Sequence, residues 1–339
     1  MQTIILEQPG QFMLSQTPEP PAPGPYEALV RVHRVGICGT DIHAFHGRQP
    51  FFSYPRILGH ELGVEVVAIG GAAQGLAVGD RCAVEPYLNC GTCLACRRGR
   101  TNCCANLQVL GVHVDGGMRE YLVVPAAKLH RSAQLSFEQL ALVETLGIGA
   151  HAVARANLEP GEWVLVVGVG PIGLTTMQFA RLAGAHVIAL DVSASRLEFC
   201  RTQGMAEHTV LASTRTLEQL LELTNGDLPT AVFDATGNAQ SMTRSFDYLA
   251  NSGRLTFVGL VQSEISFNDP AFHRRELTLL ATRNALAADF TRIIGLLEAG
   301  QIDTQVWITH RAASTELITA FPTWLQPEAQ LIKGVVAFG

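Results

Sequence analysis

Residues 163–191 read WVLVVGVGPIGLTTMQFARLAGAHVIALD. An apolar run leads into Gly168, Gly170 and Gly173, spaced G-x-G-x-x-G. A helical pattern follows, then a second apolar run that ends on Asp191. Few folds ask for that order. The first glycine makes a tight turn, the second lets backbone approach a pyrophosphate, and the third lets helix and strand pack closely. Pro171 and Ile172 would open a helix whose positive end faces the phosphates. Asp191 is placed to accept hydrogen bonds from the adenosine ribose, and its charge would repel a 2′-phosphate, so the expected cofactor is NAD. Arg196, five residues on, could stack on adenine or tolerate a 2′-phosphate. A glycine turn in a sheet that binds nothing would not need strand, helix and acid to agree.

The surrounding texture supports this. From about residue 160 strands and helices alternate: strands at 162–167, 186–190, 231–234 and 254–258, a helix at 174–182. Such alternation predicts a doubly wound parallel sheet. Thr236 and Gly237 in DATGN, and Val258 and Gly259 in FVGL, follow strands and would line the ribose and the nicotinamide. Before residue 145 the pattern is short β-runs broken by Gly and Pro, at 28–35, 64–69, 81–84 and 120–124, with the Pro-rich 18–25 as a loop after an N-terminal strand. After about 286 the chain is mixed and ends strand-like at 334–338. The expected division is therefore an α/β nucleotide domain at 147–286 and a mostly β domain at 1–146 and 287–339.

Residues 90–104, CGTCLACRRGRTNCC, hold five of the eight cysteines. Cys90, Cys93, Cys96 and Cys104 have the spacing C-x2-C-x2-C-x7-C. Thiolates two residues apart can turn back onto one tetrahedral ion, with Gly91 and Gly99 supplying backbone freedom. Four sulfurs close the coordination shell, so the expected ion is a structural zinc, with Cys103 a spectator. The N-terminus lacks the regions of a signal peptide and no run of 18 apolar residues occurs, so the expected compartment is the reducing cytoplasm, where disulfides are rare. A formal net charge of -6, with charged residues at 16%, leaves no electrostatic footprint for nucleic acid.

Three further stretches matter together: GICGTDIH with Cys38, Thr40 and His43; LGHE with His60 and Glu61; and ALVETLG with Glu144. Singly, each cysteine or histidine reads as a packed core residue. With the cysteine loop and the glycine turn, the whole chain resembles the zinc-dependent medium-chain alcohol dehydrogenases, in the sorbitol, threonine and idonate branch. That resemblance implies a GroES-like catalytic domain beside a Rossmann domain, and two zinc ions per chain. It makes Cys38 and His60 ligands of a catalytic zinc, with Glu61 and Glu144 as acidic partners that ligate directly or through water. It places Thr40 and His43 at the relay that carries the alcohol proton away. Two departures touch the ligands: Gly63 stands one residue early, with Val64 at the family's usual glycine, and Thr145 replaces a frequent proline after the glutamate.

The substrate is less legible. Local similarity points to sugar-acid dehydrogenases of the L-galactonate and L-gulonate type, acting on the hydroxyl at carbon 5. A carboxylate would need a cation, ideally an Arg fork, and Arg48, Arg56, Arg274, Arg275 and Arg283 are the candidates, with Phe51, Phe52 and Tyr54 as pocket wall. The competing readings are a sorbitol- or L-iditol-type polyol dehydrogenase, an L-threonine 3-dehydrogenase-like enzyme, a zinc-free quinone reductase, and a catalytically silent NAD-binding sensor. By analogy the chain would be a homotetramer or homodimer whose partner is a small polyol or sugar acid, with no nucleic acid and no membrane.

Overall fold

The computed structural model describes residues 1–49, 52–71 and 75–339, in two compact units: 1–145 with 285–339, and 146–284. The second unit is built on six parallel strands in the order His208–Leu211, His186–Asp191, Trp163–Val167, Ala231–Asp234, Arg254–Phe257, Thr278–Ala281. Chain order reverses on either side of Trp163–Val167, so the glycine turn that follows this strand lies at the topological switch point. Val164, Leu165 and Val166 are fully buried because helices cover both faces of such a sheet. Helix Pro171–Leu182 starts with proline at its first position, where the missing N–H costs nothing. The strands at 208–211 and 278–281 have four residues each, too few to stand out in sequence. Leu279 of the edge strand is 38% exposed.

The first unit carries a seven-stranded sheet. Ile308–Ala313 pairs in parallel with Lys333–Ala337; Glu27–Ile37, Glu61–Ile69, Arg81–Val84 and Leu129–Arg131 continue it antiparallel, and Tyr121–Pro125 also pairs with Glu27–Ile37. Val30, Val32, Leu62, Val64 and Val66 of these strands form one apolar core with Phe321 of the helix Leu317–Trp324 and with Phe338. Two expectations need correction. The N-terminal segment is a hairpin, Gln2–Gln8 with Gln11–Gln16, closed by a turn with Gly10 at φ +79°. A 20-residue helix, Phe137–Ala156, replaces the β-texture expected up to 145. It is apolar on nearly all sides, so no 3.6-residue stripe announces it.

Register in this sheet places the chemistry. Gly36 pairs with Glu61, and Gly334 pairs with Ile37. A Cβ on Gly36 would lie 2.0 Å from Glu61 Oε2. The glycine thus makes room for a carboxylate folded back over its own strand partner. Among the described residues no helix is long and apolar enough to cross a membrane.

Candidate active site

The four expected cysteines converge. Sγ atoms of Cys90, Cys93, Cys96 and Cys104 all lie within 4.8 Å of one another, and no cysteine forms a disulfide. Cys90 to Cys104 is 3.5 Å and Cys93 to Cys104 is 3.9 Å. A tetrahedral zinc with Zn–S bonds of about 2.3 Å sets its sulfurs about 3.8 Å apart, so the cage already has the size of the ion. Gly91 and Gly99 take φ of +74° and +73° at the two turns. Backbone N–H groups point inward: Cys90 and Asn106 donate to Cys104 Sγ at 3.3 and 3.4 Å, and Cys93 donates to Cys90 Sγ at 3.4 Å. N–H donors at Thr92 and Cys93 hold the Cys90 thiol down to about 5. Desolvation, then contact with Cys93 and Cys104, pushes Cys96 up to about 11. Four sulfurs this close cannot all ionise without a cation between them. Cys103 is exposed and stays outside the cage.

A second cluster joins Cys38, His60 and Glu61, whose ligand atoms also lie within 4.8 Å of one another. Cys38 ends strand Glu27–Ile37 and caps the helix Gly39–Phe45, and its N–H donates to Asp41 Oδ2 at 2.8 Å. The other oxygen of Asp41 faces His60 Nδ1 at 3.9 Å, and both atoms are buried without a hydrogen-bond partner. At this distance the pair is electrostatic, on the side of the ring where a carboxylate would orient a ligating imidazole. Glu61 Oε1 accepts from Lys333 Nζ at 2.5 Å; the same ammonium donates to Ile37 O at 3.1 Å, and Glu61 Oε2 is left unpaired. Glu144, 5% exposed, accepts from the Tyr87 hydroxyl.

Three buried carboxylates and a thiol therefore face one ammonium. Burial pushes Asp41 and Glu144 up, against the pull of His60. For His60 burial works the other way, but Cys38, Asp41 and Glu144 outweigh it and hold the imidazole well above its usual range. A site so short of positive charge, with a thiol, an imidazole and an unpaired carboxylate oxygen converging, fits a divalent cation with mixed S, N and O ligands.

In the second unit, Gly168 takes φ +92°, and a Cβ on Gly173 would sit 1.8 Å from the Gly168 carbonyl oxygen. Gly170 opens the helix and faces nearly empty space, with an Arg196 nitrogen 3.9 Å from where its Cβ would be. Asp191 is held between two amides: Val169 N–H donates to Oδ2 at 2.7 Å and Ser193 N–H to Oδ1 at 2.8 Å. Each oxygen keeps acceptor capacity for a further donor. Thr236–Gly237 and Val258–Gly259 meet backbone to backbone: a Cβ on Gly259 would lie 2.4 Å from Gly237 N. Asp234 beneath them is fully occupied by Thr236, Ser241 and Ser245.

The remaining candidates divide. Phe51 lies outside the described residues. Arg275 is withdrawn as a carboxylate binder, because it donates to the carbonyls of Phe246 and Leu249. Arg56 pairs with Asp115 at 3.3 Å and donates to Ser53 at 2.7 Å. Arg48, Arg274 and Arg283 are exposed; so is His43, while Thr40 is half-buried on the same short helix. Phe52 and Tyr54 pack on each other, and the Tyr54 hydroxyl donates to Ala44 O. Gly63 answers the first departure: a Cβ there would strike the Phe137 carbonyl at 2.0 Å, so this helix, not the usual position, dictates the glycine. Thr145 is buried with its hydroxyl unpaired. Sequence reasoning missed Asp41, Lys333 and Tyr87. Asp41 sits inside the G-T-D motif and was within reach; Lys333 is 272 residues from Glu61 and nothing local marks it.

Known proteins agree with this geometry. The alcohol dehydrogenase GroES-like domain matches residues 24–134, and the zinc-binding dehydrogenase domain matches residues 171–299. The chain is 42% identical over 338 residues to L-galactonate-5-dehydrogenase of Escherichia coli K12, covering 100% of this chain and 99% of that one. It is 32% identical to sorbitol dehydrogenase of Bacillus subtilis 168, covering 91% of this chain and 90% of that one. The crystal structure of the rspB alcohol dehydrogenase from E. coli CFT073, complexed with NADH, superposes with a TM-score of 0.92 at 29% identity, covering 100% of this chain and 99% of that one. The chain belongs to the zinc-dependent medium-chain alcohol dehydrogenases, an oxidoreductase family. Its relatives in this family include a sugar-acid dehydrogenase and a sorbitol dehydrogenase.

Proposed function

We propose that this protein oxidises a secondary alcohol of a sugar acid, of the L-gulonate or L-galactonate type at carbon 5, and passes the hydride to NAD. The observation that carries the reading is the convergence of Cys38, His60 and Glu61, whose Oε2 is unpaired, with Glu144 near enough to interact electrostatically with His60 and Glu61. When bound, zinc supplies Lewis acidity toward the alcohol oxygen and the nicotinamide accepts the hydride. Cys38, His60 and Glu61 would hold the ion; Glu144 would ligate it or hold its water, and Asp41 orients His60. Thr40 and His43 would pass the released proton outward. In this reading 1–146 with 287–339 is the catalytic part and 147–286 binds NAD. Gly168, Gly170, Pro171, Ile172 and Gly173 cradle the pyrophosphate and Asp191 takes the ribose. Arg196 covers the adenine, while Thr236, Gly237, Val258 and Gly259 run past the ribose and nicotinamide. Arg283 is proposed as the cation for the substrate carboxylate.

The 42% identity to L-galactonate-5-dehydrogenase supports the sugar acid. The relation to sorbitol dehydrogenase keeps a neutral polyol as the second reading. A panel of L-gulonate, L-galactonate, L-idonate, sorbitol and L-threonine, with NADH absorbance as readout, decides between them. Turnover of L-threonine alone would overturn the substrate. Two zinc ions per chain fit the enzyme; one, at the four cysteines, fits a silent NAD-binding protein. A homotetramer or homodimer is proposed with it, checked by light scattering.

A further inference from the structure

Tyr87 stands three residues before Cys90, where the cysteine loop begins, on the short strand Tyr87–Leu88 that pairs with Gln108–Val109. It is 2% exposed. A phenol so buried needs an acceptor for its hydroxyl, and the acceptor is Glu144 Oε1. The ring itself is clamped. Phe290 meets it edge-on, centroids 6.3 Å apart at 78°; His130 stacks on Phe290 at 4.9 Å and 23°. The His130 imidazole lies 3.3 Å from the buried carboxylate of Glu85, which also takes the Lys128 ammonium. Glu85 is two residues before Tyr87 in the chain. The contacts therefore run from Glu85 through His130 and Phe290 back to Tyr87, and leave the hydroxyl little freedom to move.

We propose that Tyr87 is a positioning residue for Glu144: by occupying Oε1 it fixes the side chain and leaves Oε2 as the single oxygen that Glu144 can present to a metal ion or its water. Glu61 also has one carboxylate oxygen occupied. Lys333 occupies its Oε1 and its Oε2 is unpaired. The difference is the partner: Glu61 is paired with an ammonium, Glu144 with a neutral phenol. This rests on the catalytic-metal reading above.

The test is a double-mutant cycle of Tyr87→Phe and Glu144→Gln on the full-length, metal-loaded protein. Phenylalanine keeps the ring and its packing on Phe290 and removes only the hydroxyl. Two readouts are taken: release of each metal to a chelator, and the visible spectrum after cobalt replaces zinc at the faster-exchanging site. Tyr87→Phe is expected to speed loss of that metal by about tenfold or more, the usual effect of removing a partner behind a ligand, and to shift the cobalt bands. The four-cysteine metal should leave at the wild-type rate. In the Glu144→Gln background the same change should add nothing, since the coupling runs through that carboxylate. Unchanged release and spectrum in Tyr87→Phe, or an equal loss in both backgrounds, would overturn the proposal. A wild-type chain that holds only the four-cysteine metal would overturn the metal reading beneath it as well, and the two failures are told apart by the metal count.

Discussion

Lys333→Met removes the one ammonium that faces the buried carboxylates. The pair it breaks is closely made: Nζ to Oε1 is 2.5 Å, and the two side chains are 2% and 1% exposed. Burial works against the Lys333 charge, but Glu61, Cys38 and Glu144 more than restore it and raise the lysine above its usual range. Methionine matches the aliphatic stem, so the packing cost is small. What remains is a buried carboxylate without its ion-pair partner, close to Cys38 and within electrostatic reach of Glu144. Breaking a buried pair by removing one member costs about 3–5 kcal/mol. The Ile37 carbonyl also loses its donor. The metal-free protein should therefore unfold at clearly lower urea, in the transition of the unit that holds both residues, measured in EDTA at pH 7. Adding zinc should recover part of the loss, because a cation at Cys38, His60 and Glu61 replaces the missing charge. A loss below about 1 kcal/mol in EDTA, the scale of an exposed pair, would refute the claim that this ammonium balances the site.

Three other outcomes follow from single residues. Cys104→Ser should lose one zinc per chain and lower thermal stability, whereas Cys103→Ser should keep both, as read by metal analysis beside a melting curve. Asp191→Ser should let NADP compete with NAD, since setting a 2′-phosphate against that carboxylate costs several kcal/mol; unchanged relative kcat/KM for the two cofactors would sink the role given to Asp191. The Arg311 fork donates to both oxygens of Glu138 at 2.9 and 3.0 Å and holds this carboxyl below its usual range. The stabilisation is thus present above the ordinary glutamate value of about 4.3 and is lost as pH falls through the lower folded value. Glu138→Gln should flatten that acid limb by less than about 1 kcal/mol, because Arg311 is half exposed. An acid limb that keeps its wild-type slope would show the fork is idle.

The parts of the site that are local in the chain were legible without coordinates. The cysteine spacing, the glycine turn and Asp191 are each encoded within a few residues, where backbone geometry links sequence to shape directly. The 20-residue helix at Phe137–Ala156 was not, because a helix buried on every side shows no periodic stripe. The N-terminal hairpin hid for a related reason: in its second strand, Gln11–Gln16, the apolar Phe12, Met13 and Leu14 are consecutive and only Phe12 is buried, so no buried-exposed alternation marks it.

The amino-acid order alone determines that this chain carries a four-sulfur cage and a phosphate-binding turn, since both are closed by residues a few positions apart. Only the tertiary structure decides what balances the second cluster. Lys333 reaches Glu61 because Lys333–Ala337 pairs beside Glu27–Ile37, and Tyr87 reaches Glu144 because a two-residue strand meets a long helix. Sheet register and helix packing are set by the whole core, and no short stretch of sequence contains that information.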